Sequence, residues 1–204
     1  MNIKLDTLSP GQAYFHMIQT LVPRPIAWVL SENETGNYNL APFSYFNAVC
    51  SDPPIVMISI GKKPDGSDKD TLRNIRQRKH FNVHIADLGL LEALNQSSAT
   101  LDANDSELDH SDLTTTEFEG ASLPRITQCK IAYGCVLHDI HEIGNTPQAV
   151  VYGEIKNIYI DDSIISINQN GRIKVHADSL QPVARLGSNE YMKPGEIIQL
   201  NRPD

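Results

Sequence analysis

Apolar side chains recur at every second position, or at every position, over much of this 204-residue chain, which is the periodicity of strands. From Arg24 to Ser31, Ile26, Trp28 and Leu30 alternate with Ala27 and Val29, so both faces are apolar and a buried strand is predicted. Pro23 and Pro25 confine its start to an unpaired edge, because proline has no amide hydrogen to give a ladder. The polar stretch Ser31–Asn37 predicts a turn, and Asn39–Asn47 a strand returning as a hairpin. Ile55–Ile60, set between Asp52-Pro53-Pro54 and Gly61, predicts another strand. His80–Ala86 alternates strictly, with Phe81, Val83 and Ile85 expected inward and His80, Asn82 and His84 outward. Gln128–His138 and Gln148–Ile160 flank a turn holding Gly144, Asn145 and Pro147 and predict a long hairpin.

Helical spacing is confined to short segments. Ser9-Pro10-Gly11 precedes Phe15, Ile18 and Leu21, so Ser9 caps and Pro10 opens a helix through Tyr14–Leu21. Asp70 is placed to cap a second helical turn through Arg76, with Leu72 and Ile75 on one face. A third helix follows over Leu88–Ser98, whereas Asp102, Asp105, Glu107, Asp109 and Asp112 mark a solvated acidic loop. About six strands in hairpins, with helices as appendages, favour a mainly β antiparallel barrel over a doubly wound parallel sheet. The length suits one domain over residues 1–204.

Charge narrows the function classes. With 17 basic against 25 acidic residues the net charge is −8, which disfavours nucleic-acid binding and requires a local basic pocket for any anionic ligand. Cys50, Cys129 and Cys135 are an odd set without a CxxC pair, so reduced thiols are expected. The N-terminus has no basic start followed by an apolar run, and no stretch approaches the ~20 apolar residues that span a bilayer, so a cytoplasmic protein without membrane contact is expected.

Common motifs fail. Gly61 and Gly66 have P-loop spacing, but Ser67-Asp68 stands where Lys-Ser/Thr is required, and no GxGxxG or GxSxG occurs. The loop from Asp102 lacks the glycine and the closing glutamate of a calcium loop, with Glu107 and Leu113 in their places. The pairs His80/His84 and His138/His141 have no third clustered ligand, and the Asn-x-Ser/Thr triplets at Asn33, Asn95 and Asn104 mean little without secretion.

What remains is an ordered set: PRPIAWV (Pro23–Val29), NLAPFSYFN (Asn39–Asn47), DPP (Asp52–Pro54) and KDTLRNI (Lys69–Ile75), continued by FNVHIA, PRI, VYGEI and ARLGSNEY. In order and spacing it resembles the flavin reductase-like FMN-binding split-barrel family, which includes the flavoredoxins. The resemblance implies a six-stranded Greek-key split barrel, a homodimer and FMN near the subunit interface. It also implies an NAD(P)H-dependent flavin reductase passing hydride to FMN. Two alternatives stay open: a flavoredoxin-like FMN electron carrier that does not itself oxidise nicotinamide, and a barrel that has lost flavin. A redox protein or a monooxygenase is the acceptor so implied.

FMN offers a dianionic phosphate, a polyol and a flat ring, so a site needs cations and amides at one end and flat or apolar walls at the other. Lys69, Thr71 and the free amides of the turn opened by Asp70 are candidates for the phosphate, with Arg24 a second cation and Asn74 a further donor. Pro25, Ile26, Ala27 and Asn39 fall in the site by resemblance. Ser44, Asn47 and nearby amides are candidates for the polyol and the pyrimidine edge, and Tyr45 and Phe46 for the ring face. Trp28 reads as core, Arg24 alternatively as a surface ion pair, and Tyr45 and Phe46 equally as packing residues. Within ARLGSNEY, Ser188 stands where the family commonly has a second glycine, and Arg185 and Tyr191 carry no assigned role.

Overall fold

The computed structural model describes residues 1–102, 104–145, 148–201 and 203. Its helices are α1 (Pro10–Thr20), α2 (Asp70–Arg78), α3 (Leu91–Gln96) and α4 (Ala177–Leu180). The strands that build the main sheet are β2 (Ala27–Glu32), β3 (Tyr38–Phe43), β4 (Phe46–Ser51), β5 (Pro54–Ile60), β6 (His80–Ile85), β9 (Ile131–Ile143) and β10 (Gln148–Ile160). Short pairs complete the set: β1 (Arg24–Pro25) with β13 (Ala184–Arg185) and β14 (Tyr191–Met192), β7 (Thr115–Thr116) with β8 (Arg125–Ile126), and β11 (Ile165–Ile167) with β12 (Ile173–Val175).

The main sheet is antiparallel, in the order β3-β2-β6-β9-β10-β5-β4. Its two edge strands, β3 and β4, are consecutive in sequence and separated only by Ser44 and Tyr45. Two residues cannot cross an open seven-stranded sheet, so the sheet must curl until its edges meet. Tyr45 sits at that join, where its carbonyl accepts from Ser59 N at 2.8 Å. The edges meet without a ladder between them, which makes the barrel split.

Two expectations change here. There are seven strands in the main sheet against six expected, because Asn39–Asn47 breaks at Ser44–Tyr45 into strands on opposite edges. Local alternation cannot signal that break. The segment at Arg24–Ser31 also divides, into β1 and β2, but its two apolar faces are real: Ala27 and Val29 enter the barrel interior with Phe81 and Ile58, while Ile26, Trp28 and Leu30 pack a second core with Leu94 and Ile126.

That second core buries what was expected to be the solvent face of β6. Asn82 donates to Leu123 O and Pro124 O at 3.1 and 2.9 Å, and Ile126 N donates to His84 Nε2 at 3.0 Å. Neutral His84 then keeps its hydrogen on Nδ1, 3.2 Å from Trp28 O, and burial lowers its pKa from 6.5 to about 4. Trp28 is fully buried and donates to Ser97 Oγ at 2.8 Å.

The expected hairpin forms, with β10 at Gln148–Ile160 as expected but β9 at Ile131–Ile143 against Gln128–His138, and with Gly144 at φ +90 in the turn and Pro147 outside the described residues. Gly153 on β10 has a packing reason, since a Cβ there would lie 2.5 Å from Phe81 Cζ. Ser9 caps α1 with a complete capping box through Gln12. Asp70 does not cap α2: Lys69 occupies that position without a side-chain bond, and the Asp70 carboxylate pairs with Lys63 at 2.7 Å and Arg73 at 2.6 Å. The acidic loop is not wholly solvated either, because Glu107 is buried and accepts from Leu40 N at 2.7 Å. The three cysteines are free thiols; burial pushes Cys135 up to about 12 and raises Cys129 as well.

Candidate functional site

A tight turn between β5 and α2 sets the first part of the site. Gly66, at φ +85, donates to Lys63 O, and Lys63 N donates to Ser67 O, both at 2.9 Å. The turn thereby brings Lys62 and Lys63 to the start of α2 beside Lys69. Lys62 pairs with Asp68 and Lys63 with Asp70, but Lys69 has no carboxylate partner among the described residues. Its ammonium lies 5.6 Å from the Phe43 ring centroid. Lys69 is exposed as a residue, yet the protein atoms around its ammonium desolvate it and, with the Lys63 charge, lower its pKa.

The first turn of α2 adds donors. Arg73 N bonds Lys69 O at 3.1 Å, while the amides of Asp70, Thr71 and Leu72 have no protein acceptor among the described residues, as expected of a helix start without a side-chain cap. These amides carry the positive end of the helix dipole. Thr71 is fixed from below, where Asn39 Nδ2 donates to its Oγ1 at 2.9 Å and leaves the hydroxyl hydrogen to point elsewhere. Asn74 lies deeper still, fully buried and donating to Ser31 Oγ and Asn33 Oδ1 at 3.1 and 2.8 Å.

Lys62, Lys63, Lys69, Asp70, Thr71 and Asn39 open onto a cavity of about 320 Å³, walled by Ala41, Pro42 and Phe43 and by the segment from Ser97 to Asp102. Asp105 and Glu107 also reach it, and burial holds the Glu107 carboxyl above its usual range against the opposing bond from Leu40 N. Pro42 and Ser98 are shared with a second cavity of about 190 Å³, lined by Arg24, Ile26, Ser44 and side chains of α1 and the C-terminal hairpin. The two cavities meet at Pro42 and Ser98 as one groove, with Lys62, Lys63 and Lys69 at its α2 end and Asp102, Asp105 and Glu107 also lining that part.

The profile of the flavin reductase like domain matches residues 19–174. The chain belongs to the flavin reductase-like family. An uncharacterized protein of Halalkalibacterium halodurans is 37% identical over 207 residues, covering 100% of this chain and 97% of its own. The crystal structure of nitrilotriacetate monooxygenase component B from Bacillus cereus superposes with a TM-score of 0.89 at 32% identity, over 98% of both chains. The 2-nitrobenzoate 2-nitroreductase of Pseudomonas fluorescens follows at 0.88 and 30%, over 100% of this chain and 96% of that one. A split barrel domain protein from Shewanella frigidimarina shares the fold at 0.84 and 19% identity, over the whole of both chains.

Within this flavin reductase-like chain, the groove gathers most of the residues expected from sequence. Asn39, Lys69, Asp70 and Thr71 line its first cavity, and Arg24, Ile26 and Ser44 its second. Arg24 is 5% exposed and pairs with no carboxylate among the described residues; it donates instead to Ile18 O, Leu21 O and Leu186 O at 2.7, 2.6 and 2.8 Å. Tyr45 flanks the same region: burial and the neighbouring Tyr14 raise its pKa against the opposing charge of Arg24.

Besides Tyr45, five expected residues line neither cavity. Ala27 is inside the barrel, Asn74 lies beneath Thr71, Phe46 packs on the interior core, Pro25 is exposed on β1, and Asn47 is exposed on β4 with its Oδ1 taken by Ala48 N. Sequence reasoning passed over Lys62 and Lys63, although two lysines beside Gly61 were a visible signal, and over Tyr14 and the Ser97–Asp102 segment, which gave none.

Proposed function

We propose that the chain is a single-domain FMN-binding oxidoreductase, an NAD(P)H-dependent flavin reductase acting as a cytoplasmic homodimer. The observation that carries the reading is Lys69: an ammonium without a carboxylate partner, beside three free helix-start amides, at one end of a groove with apolar walls. That donor set fits a phosphate dianion, and the Ala41-Pro42-Phe43 wall fits a flat ring, so the residues present suit FMN.

Lys69, with the amides of Asp70 and Thr71, holds the phosphate, and the Asn39 bond keeps the Thr71 hydroxyl turned to donate. Ser44 Oγ lies 3.5 Å from Arg24 Nε, at the outer limit of a hydrogen bond, so its hydrogen is free for the polyol or the ring edge. Arg24 joins α1 and the 186 region to β1 and sets a fixed positive charge at the end of the groove away from α2. Bound FMN supplies the hydride-accepting chemistry, so no side-chain acid or base is obligatory and the chain's work is to bind, orient and exclude water.

Dimerisation is supported by α1, which has no buried residue although Tyr14, Phe15 and Met17 are apolar, and by the exposed edge strand β4 with Val49. Light scattering at dimer mass agrees with this; a monomer contradicts it. Free cysteines agree with a reducing compartment. For the activity, the purified protein is given FMN and then, without oxygen, NADH or NADPH. Bleaching of the flavin absorbance by either supports the reductase. An unchanged spectrum with both, in protein that holds FMN, leaves an electron carrier in its place.

A further inference from the structure

We propose that the cavity between α1, β1 and the β13–β14 hairpin binds a small monocyclic carboxylate, held by Arg185, as the second substrate of the groove. Its role as a substrate site rests on the flavin reading above; the binding itself does not.

In a chain of net charge −8, Arg73, Arg76 and Arg78 each face a carboxylate. Arg24 and Arg185 have no such partner among the described residues, and both line this cavity, whose lining includes no Asp or Glu. Three of the five hydrogens of Arg24 go to main-chain carbonyls, which hold the guanidinium in place but do not cancel its charge. A buried, uncompensated guanidinium favours an anion in the adjoining space.

Arg185 lies over the Tyr191 ring at 4.5 Å and donates from Nη2 to Ser188 O at 2.6 Å, while Tyr191 itself is fixed by a 2.9 Å bond to Asn95 Oδ1. One of its five hydrogens is thus used for posture, and the rest remain for a carboxylate fork. The hairpin packs on α1, where Gln19 Nε2 donates to Ser188 Oγ at 3.1 Å and the Gln19 amide lies over Gly187, a Cβ there falling 2.2 Å from Gln19 Oε1.

Tyr14, Tyr191, Ile18, Ile26 and Pro42 supply flat or apolar surface around the cations. The volume of about 190 Å³ falls below the ~300 Å³ at which pockets begin to take drug-sized ligands, so it suits one ring with one carboxylate and not a nucleotide.

The test titrates benzoate and its neutral isostere benzamide into FMN-loaded protein by calorimetry. Expected is benzoate binding at least ~10-fold tighter than benzamide, a preference lost in Arg185→Gln and largely kept in Arg185→Lys, which retains the charge. Equal affinity for the two probes, a preference that survives Arg185→Gln, or displacement of FMN by benzoate overturns the proposal. Should the protein take up no FMN, the flavin reading falls instead, and the same titration on flavin-free protein still decides the carboxylate site.

Discussion

The covered face of β6 and the groove at the start of α2 treat polar groups in opposite ways. Around β6, His84 uses both ring nitrogens within the protein, Asn82 donates twice to carbonyls and Trp28 finds Ser97. That region is closed, and its polar atoms stabilise the fold by being satisfied inside it. In the groove, Lys69 and Arg185 lack carboxylate partners among the described residues and three helix-start amides lack acceptors. Such donors contribute little to folding and are available to a ligand. The fold's stability and its binding therefore reside in different residues, and each half can be perturbed without the other.

The largest effect is expected inside the barrel. Phe81→Ala removes a fully buried ring packed against Gly153 and should cost about 3–5 kcal/mol in urea unfolding, with FMN affinity unchanged where the protein remains folded. Next is acidification. His84 is neutral in the fold with a pKa of about 4 against 6.5 unfolded, so the unfolded chain binds the extra proton first. The stability that depends on neutral His84 is therefore complete above pH 6.5 and is lost as pH falls towards 4, by about 3 kcal/mol, which denaturant midpoints across that window measure. On the groove side, Lys69→Ala should weaken FMN about tenfold or more while leaving the urea midpoint in place, since the charge-assisted bond it removes is worth about 1.5–3 kcal/mol. A midpoint that fell with the affinity would break the separation. The smallest effect is at Ser9→Ala, where loss of the capping box should cost about 1 kcal/mol and speed amide exchange in α1 ahead of the barrel.

Much of this was legible in the sequence, for local reasons. The doubly apolar run from Ile26 to Leu30 announced a strand between two cores, and Lys69-Asp70-Thr71 ahead of Leu72 and Ile75 announced a helix start able to meet an anion. The failures came where tertiary structure overrides local pattern. The crossing at Ser44–Tyr45 is imposed by barrel closure, so Asn39–Asn47 read as one strand. His84 and Asn82 alternate like solvent-facing residues but are covered by a segment that begins some forty positions later. Asp70 has a capping residue's chemistry, yet Lys63 and Arg73 claim it and hold its carboxyl below the usual range despite the opposing effect of burial. Arg185 pairs with Arg24 although most of the chain lies between them, a juxtaposition that no spacing in the sequence encodes.

A groove built around a phosphate at the start of α2 must distinguish FMN from riboflavin, which has the same ring and polyol but no phosphate, when the protein is titrated with each in parallel. FMN should bind at least ~100-fold tighter, in line with two or more charge-assisted bonds. Equal affinity for the two would mean that Lys69 and the free amides of α2 hold no phosphate, and the flavin site would have to lie elsewhere.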